Sequence, residues 1–242
     1  MKVLGIDTAT SCAGVALIDH GDDGDRVLGQ ARHDTAARGA DLLVAIDRLC
    51  REAGVAPPAL DAVAVGAGPG SFTGLRIGMA TAKGIAFAAK RPLWAVSSLA
   101  ALADDARREL AGRDAAICDA AICAVLDARR GEIFAGCFRN GAPLGDERVL
   151  APDALAPWLA SLNLGVVHYA GDAIDAYHDA FAPLASHWLA ARTPSGRAVA
   201  QLALSGARAD ITRAGAPTYI RPSEAEVMYP DGVPGALRQI KT

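Results

Sequence analysis

Residues 4–18 read LGIDTATSCAGVALI, and residues 122–138 read ICAVLDARRGEIFAGCF. Each begins with an apolar run that ends in an aspartate (Asp7, Asp127), passes through a polar turn and enters a second run rich in β-formers. That pattern predicts two antiparallel strands joined by a loop, and its recurrence at a long period predicts two related lobes. Outward from the first copy, strands are expected at residues 3–6 and 13–18, with a third over 26–32 after the turn GDDGD. Leu42, Leu43, Ile46, Leu49 and Cys50 then recur at helical spacing within 40–53, up to Gly54. A buried strand over 61–66 leads through a glycine-rich loop to a helix over 74–89, a strand over 92–96 and a helix over 97–110 opened by serine. In the second half, strands are expected at 122–126, 132–138 and 166–170, and helices at 154–161 and 197–209. The tail from Ala214 lacks periodicity and is expected to be an extended arm or partly mobile. Strands alternating with helices, plus a hairpin at the start of each half, give an α/β architecture of mixed sheets flanked by helices.

Composition narrows the function. Hydrophobic residues are 52% of the 242 and charged residues 21%, the balance of a folded chain with a filled core. Aromatics are only 5% while alanine is abundant, so the core is expected to close on small side chains. A net charge of -3 argues against a stand-alone nucleic-acid binder, which needs a positive surplus to displace counterions from phosphates. Cys12, Cys50, Cys118, Cys123 and Cys137 are odd in number and form no CxxC pair, so free thiols are expected. The first apolar run meets Asp7 too early for a signal peptide. No charge-free apolar stretch of about 20 residues is present, and a cytoplasmic protein is expected.

Four stretches then carry a resemblance: LGIDTAT at 4–10, GAGPGSFTGLRIG at 66–78, LDARRGEIF at 126–134 and YIR at 219–221. In this order, across nearly the whole chain, they resemble the TsaB family. The resemblance implies a two-lobed actin-like ATPase (ribonuclease H-like) fold, with a first lobe at 1–104 and a second at 105–242 that includes the tail. It implies a non-catalytic subunit that pairs with a TsaD homologue, together with a TsaE homologue. That assembly transfers threonylcarbamoyl to the adenosine next to the tRNA anticodon. tRNA would be met through the complex, and the chain alone would form a homodimer. No cofactor would be held firmly here, ATP and metal residing on the partner subunits.

Candidate site residues fall into three groups. The first is the glycine-rich loop, Gly68, Gly70, Ser71, Thr73 and Gly74. A glycine-rich loop opening a helix is either an anion cradle or a structural turn; it lacks the GK[ST] ending of a P-loop, and Ser71 or Thr73 is placed to cap the helix. The second group, Asp7, Thr8 and Thr10, stands where the actin-like superfamily has its DxGT phosphate loop. Ala9 replaces the glycine, so the loop reads as vestigial. Asp7 would either hold a metal or water, or bond its own turn.

The third group is the expected partner surface: Leu42, Leu43 and Ile46 from the first helix, with Arg76, Met79, Lys83 and Phe87 from the second. Gly74, Gly78, Ala82 and Ala86 recur every fourth residue and form a ridge that admits close approach of another element. Charging Met79 and Phe87 is expected to spare the fold and abolish pairing. No metal site is expected: His20, His33, His168, His178 and His187 include neither the HxxxH pair of TsaD-type proteins nor HExxH, and no GxSxG is present for a peptidase. The alternative is an active ATP-dependent small-molecule kinase or transferase of the same superfamily, with Asp7 and Asp127 as its evident catalytic carboxylates.

Overall fold

The computed structural model describes residues 1–34, 39–113 and 119–220; Cys118, Arg221 of the YIR stretch and the rest of the tail lie outside them. β1 (Lys2–Asp7) pairs antiparallel with β2 (Cys12–Gly21), which pairs antiparallel with β3 (Gly24–Asp34). After α1 (Gly39–Glu52), β4 (Ala62–Gly66) joins the other edge of β1 in parallel. Then α2 (Phe72–Ala89) leads to β5 (Leu93–Val96), parallel to β4. α3 (Ser98–Arg113) crosses to a second sheet, where β6 (Ala121–Arg129) pairs antiparallel with β7 (Glu132–Arg139). β8 (Ala142–Pro143) and β9 (Arg148–Leu150) both pair with β7. Beyond α4 (Leu155–Leu162), β10 (Val167–Ala170) joins the other edge of β6 in parallel.

The duplication read from the sequence is thus present in the pairing. β6 sits between an antiparallel β7 and a parallel β10 as β1 sits between β2 and β4, and Asp7 and Asp127 occupy equivalent places.

The chain then returns. After the short helices α5 (Ala173–Ala176) and α6 (His178–Phe181), α7 (Gly196–Leu204) packs on the first sheet, and β11 (Ala209–Asp210) closes that sheet's edge beside β5. The helix expected over 197–209 therefore stops early. Gly206 takes a positive φ of 96° just past the last turn, the C-terminal stop that glycine supplies, and residues 209–210 are free to pair as a strand. The expected lobe division at 104/105 falls inside α3.

Side chains alternate with period two across the first sheet. Leu4, Ile6, Val15, Leu17, Val63 and Val65 meet Leu42, Ile46, Leu49 and Met79 of α1 and α2 on one face. Val3, Ile18, Ala62, Ala64 and Trp94 meet Ala198, Val199 and Leu202 of α7 on the other. Where α7 crosses β1 and β2 on the second face, glycines stand in place of side chains. A Cβ on Gly5 would lie 2.0 Å from the carbonyl oxygen of Gly196, and one on Gly196 would lie 2.5 Å from Gly5 O. The alanine and glycine content is therefore what lets α7 lie on β1 and β2 at backbone contact. In the second sheet, Ile122, Leu126, Phe134 and Phe138 face Leu99 and Leu102 of α3. Cys123, Val125, Ile133 and Cys137 face Leu155, Trp158 and Phe181.

Gly5→Ala is expected to cost about 3 kcal/mol or more by forcing α7 off the sheet. Gly21→Ala, with nothing within 4 Å of the added carbon, should change stability by less than about 0.5 kcal/mol. Urea unfolding of the two variants checks the contrast.

Candidate functional site

Asp7 ends β1 at full burial, and both of its oxygens are taken. Oδ1 accepts from Ala9 N–H at 2.8 Å, and Oδ2 accepts from the Ser98 hydroxyl at 2.7 Å. Ser98 in turn accepts from Gly68 N–H at 3.3 Å, which ties the start of α3 to the glycine-rich loop. Burial pushes the Asp7 carboxyl up from 3.8 to about 6, against the pull of those two hydrogen bonds.

The glycine-rich loop lies directly on the turn that follows Asp7. Ser71 N–H donates to Ala9 O at 2.7 Å, and the Thr8 hydroxyl donates to Gly74 O at 2.8 Å. An added Cβ would stand 2.5 Å from Ala9 O at Gly70, 2.2 Å from Thr8 O at Gly74 and 2.1 Å from Thr8 Oγ1 at Gly78. Gly68 has φ +110°, in the left-handed region. These glycines hold the loop and α2 at backbone contact with residues 8 and 9, the structural-turn reading. Thr8 and Thr10 are buried with Asp7. Ser71, not Thr73, caps α2, accepting from Gly74 N–H at 3.2 Å.

Two expected partner contacts are instead made within the chain. The extended arm after β11 runs beside α2: Thr218 N–H donates to Ala67 O at 2.7 Å, and Lys83 donates to Gly215 O. The Arg76 guanidinium lies 3.9 Å over the Phe72 ring and donates to the Tyr219 hydroxyl at 3.3 Å, while Tyr219 packs against Phe72 with ring centroids 5.2 Å apart.

The expected partner surface is corrected at three further positions. Leu42, Ile46 and Met79 are buried among themselves and the β1–β2–β4 side chains, Met79 at 3% exposure, because α1 and α2 cover the sheet with these positions. The small ridge Gly74–Gly78–Ala82–Ala86 likewise faces the chain's own sheet and turn. A charged Met79 would therefore unfold the lobe. What faces outward is Leu43 at 50%, Val44 at 65% and Phe87 at 87% exposure. Arg76 and Lys83 are also exposed, as are Ala80, Gly84 and Ala88.

At the second hairpin, Asp127 accepts from Arg129 N–H at 2.7 Å and from the Tyr177 hydroxyl at 3.0 Å, and pairs with the Arg129 guanidinium at 3.0 Å. Asp172, which accepts from Asp127 N–H at 2.9 Å, is also raised to about 6, chiefly by burial. Among the described residues no group of three His, Cys, Asp or Glu side chains is placed to hold a metal ion. None of the helices described is long and apolar enough to cross a membrane. Cys12, Cys50, Cys123 and Cys137 are free thiols.

The family model described as TsaD, tRNA N6-adenosine threonylcarbamoyltransferase, matches residues 36–218. The TsaB protein of Bacillus subtilis (strain 168) is 33% identical over 172 residues, 67% of this chain and 66% of that one. The TsaB protein of Escherichia coli (strain K12) is 33% identical over 168 residues, covering 67% of this chain and 68% of its own length. The chain belongs to the TsaB family. Both relatives are named tRNA threonylcarbamoyladenosine biosynthesis proteins, and the chain spans about two thirds of their length. The fold agrees: YeaZ from Pseudomonas aeruginosa superposes with a TM-score of 0.67 at 29% identity, over 90% of this chain and 100% of that one. A second structure, described as an uncharacterized protein with similarity to peptidase YeaZ from the same organism, gives 0.70 at 31% identity, over 91% and 99%. The architecture is the actin-like one that the sequence implied.

Three of the TsaB-like stretches meet at one place. The turn 7–10, the loop 66–78 and Tyr219 are packed together, while 126–134 forms the equivalent hairpin of the second sheet. Sequence reasoning missed Val44 and the outward row Ala80–Gly84–Ala88. The same four-residue spacing that revealed the inner ridge also contains the outer one.

A carboxyl whose folded pKa is raised favours the folded state while both states are protonated, and that contribution is lost as pH rises through 3.8 to about 6. Asp7→Asn keeps an acceptor for Ala9 N–H and has no charge to bury. Relative to the parent, it should gain about 2–3 kcal/mol between pH 4 and pH 7. Denaturant melts across that range read the difference.

Proposed function

We propose that this chain serves threonylcarbamoyladenosine formation in tRNA as a non-catalytic subunit that docks a TsaD-type transferase through α1 and α2. The observation that carries the reading is three large apolar side chains left in water, Leu43 and Val44 on α1 and Phe87 on α2, where Phe87 adjoins the exposed small row Ala80, Gly84 and Ala88. Such a face loses free energy until another surface covers it, and small residues beside bulky ones admit a neighbouring helix closely. Two helices from each partner would meet as a four-helix contact. In the absence of TsaD the same face would pair with a second copy, an isologous dimer. A TsaE homologue and tRNA would join through the assembly, in the cytoplasm.

The non-catalytic part of the reading is supported by the packing at residues 7–10. The fold family implies a nucleotide and a divalent cation at this turn, and the residues present do not fit them. Asp7 spends both oxygens on Ala9 and Ser98, and the backbone of residues 8 and 9 is in contact with Gly70 and Gly74. Asp127, the other carboxylate a kinase-like enzyme would need, is committed to Arg129 and Tyr177. No nucleotide step is assigned to this chain.

Phe87→Glu and Leu43→Glu should leave unfolding within about 0.5 kcal/mol of the parent, since both side chains are exposed. Together they should weaken binding of the TsaD homologue at least about 100-fold, the loss expected when central apolar contacts are replaced by charge. Unchanged co-elution on gel filtration would place the docking surface elsewhere. The purified chain should not hydrolyse ATP; turnover that persists through a second purification would remove the non-catalytic assignment.

A further inference from the structure

On the α7 face of the first sheet, away from the α1–α2 surface, lies a cleft of ≈ 390 Å³ lined by Gly14, Arg32, Asp105, Arg108, Ser195 and Arg197, among others. The paired strands β2 and β3, the opening of α7, and α3 build its three walls. Arg32 of β3 stands opposite Gly14 of β2 in the strand register. Gly14 is also where the chain entering α7 touches the sheet: a Cβ there would lie 2.8 Å from both Gly196 N and Pro194 O. The missing side chain therefore brings the opening of α7, with Arg197, up to the strand that carries Arg32. α3 supplies the third wall.

The charges in this cleft divide into those already matched and those that are not. Asp105 lines the cleft and is fully engaged. Its Oδ1 accepts from the Ser195 hydroxyl at 2.7 Å and from Arg108 at 2.7 Å, and its Oδ2 accepts from Ser195 N–H at 2.8 Å. Arg108 is held further by Asp104 and, at 2.9 Å, by Gln201. These groups neutralise one another and fix the wall. By contrast, among the described residues the Arg32 guanidinium makes one hydrogen bond, to the Thr193 hydroxyl at 2.8 Å, and that of Arg197 makes one, from Nε to Gln201 at 3.1 Å. Among the described residues neither guanidinium is within ion-pair distance of a carboxylate. Asp25, the acidic group near Arg197, is taken by His20 at 2.7 Å and by Gln201 at 3.0 Å. Two planar cations thus present unspent N–H groups to a concave space, at the start of a nine-residue helix whose Ala198 N–H is already capped by the Ser195 hydroxyl at 3.0 Å.

Two guanidinium forks from different elements match an oxyanion with more than two acceptor oxygens, which favours a tetrahedral phosphate over a planar carboxylate. The cleft is local and has Asp25, Asp104 and Asp105 around it, in a chain of net charge -3. That setting suits a small anion and disfavours an extended polyanion such as RNA. We propose that Arg32 and Arg197 form, in this cleft, a binding site for a phosphate dianion, free or at the end of a small phosphorylated metabolite.

Isothermal titration of the full chain with inorganic phosphate, and separately with a nucleoside monophosphate, at chloride-matched ionic strength, tests the assignment. Saturable binding is expected, with Arg32→Gln and Arg197→Gln each weakening it about tenfold or more, the loss of a charge-assisted contact. Both variants should melt in chloride as the parent does. Binding of both titrants identifies the terminal phosphate group as the ligand, and binding of inorganic phosphate alone identifies the free anion; either supports the site. Should Arg197→Gln fail to fold, Arg32→Gln, an exposed position on an edge strand, decides alone. Absence of saturation by either titrant, unchanged affinity in the folded variants, or saturation by a short RNA but by neither small phosphate would overturn the proposal.

Discussion

The first lobe depends on one contact, the backbone of the glycine-rich loop and α2 lying on the main chain of Thr8 and Ala9. Gly70, Gly74 and Gly78 each occupy a place where a side-chain carbon would collide with that turn. The contact orients α2 and buries Asp7 behind it. It also leaves the opposite flank of the helix, with Phe87, facing solvent. Packing and surface are therefore two sides of a single choice of residues: small ones where the helix meets its own turn, and a mixture of small and bulky ones where it meets water.

Much of this was legible in the sequence because it is periodic. Apolar runs bounded by polar turns located the long strands, helical spacing located α1, the glycine-rich loop and a capping serine announced α2 and α3, and the hairpin ending in aspartate revealed the duplication. What was not legible was direction. Met79 and Phe87 are both large, apolar residues on the same helix, and periodicity alone does not say which flank the sheet will cover. Their environments differ because the Gly74–Gly78–Ala82–Ala86 row, read as a ridge admitting another element, meets the chain's own Thr8, where an added Cβ at Gly74 or Gly78 would collide. Once that row turns inward, Met79 turns with it. Likewise the end of α7 was misplaced because Gly206 acts through its backbone angle, and β8, β9 and β11 are too short to show alternation.

The candidate sites differ in how they arise from the chain. The turn at Asp7 and its hairpin counterpart at Asp127 are local and motif-borne, so the sequence exposes them, although only the structure reports how completely their oxygens are occupied. The Arg32–Arg197 cleft is assembled from residues far apart in the chain and held by the Gly14–Gly196 approach, and no motif announces it. Arginines scattered through a sequence carry little information until a fold gathers them.

The return of α7 to the first sheet has a consequence for biosynthesis. Gly5 leaves the ribosome well before Gly196 and Ala200, to whose surface it is fitted. At the usual pace of translation the leading strands wait roughly 10–40 s for that cover. Through that interval Val3, Ala62 and Ala64 lack α7, so that face of the nascent sheet stays uncovered until α7 itself has been made.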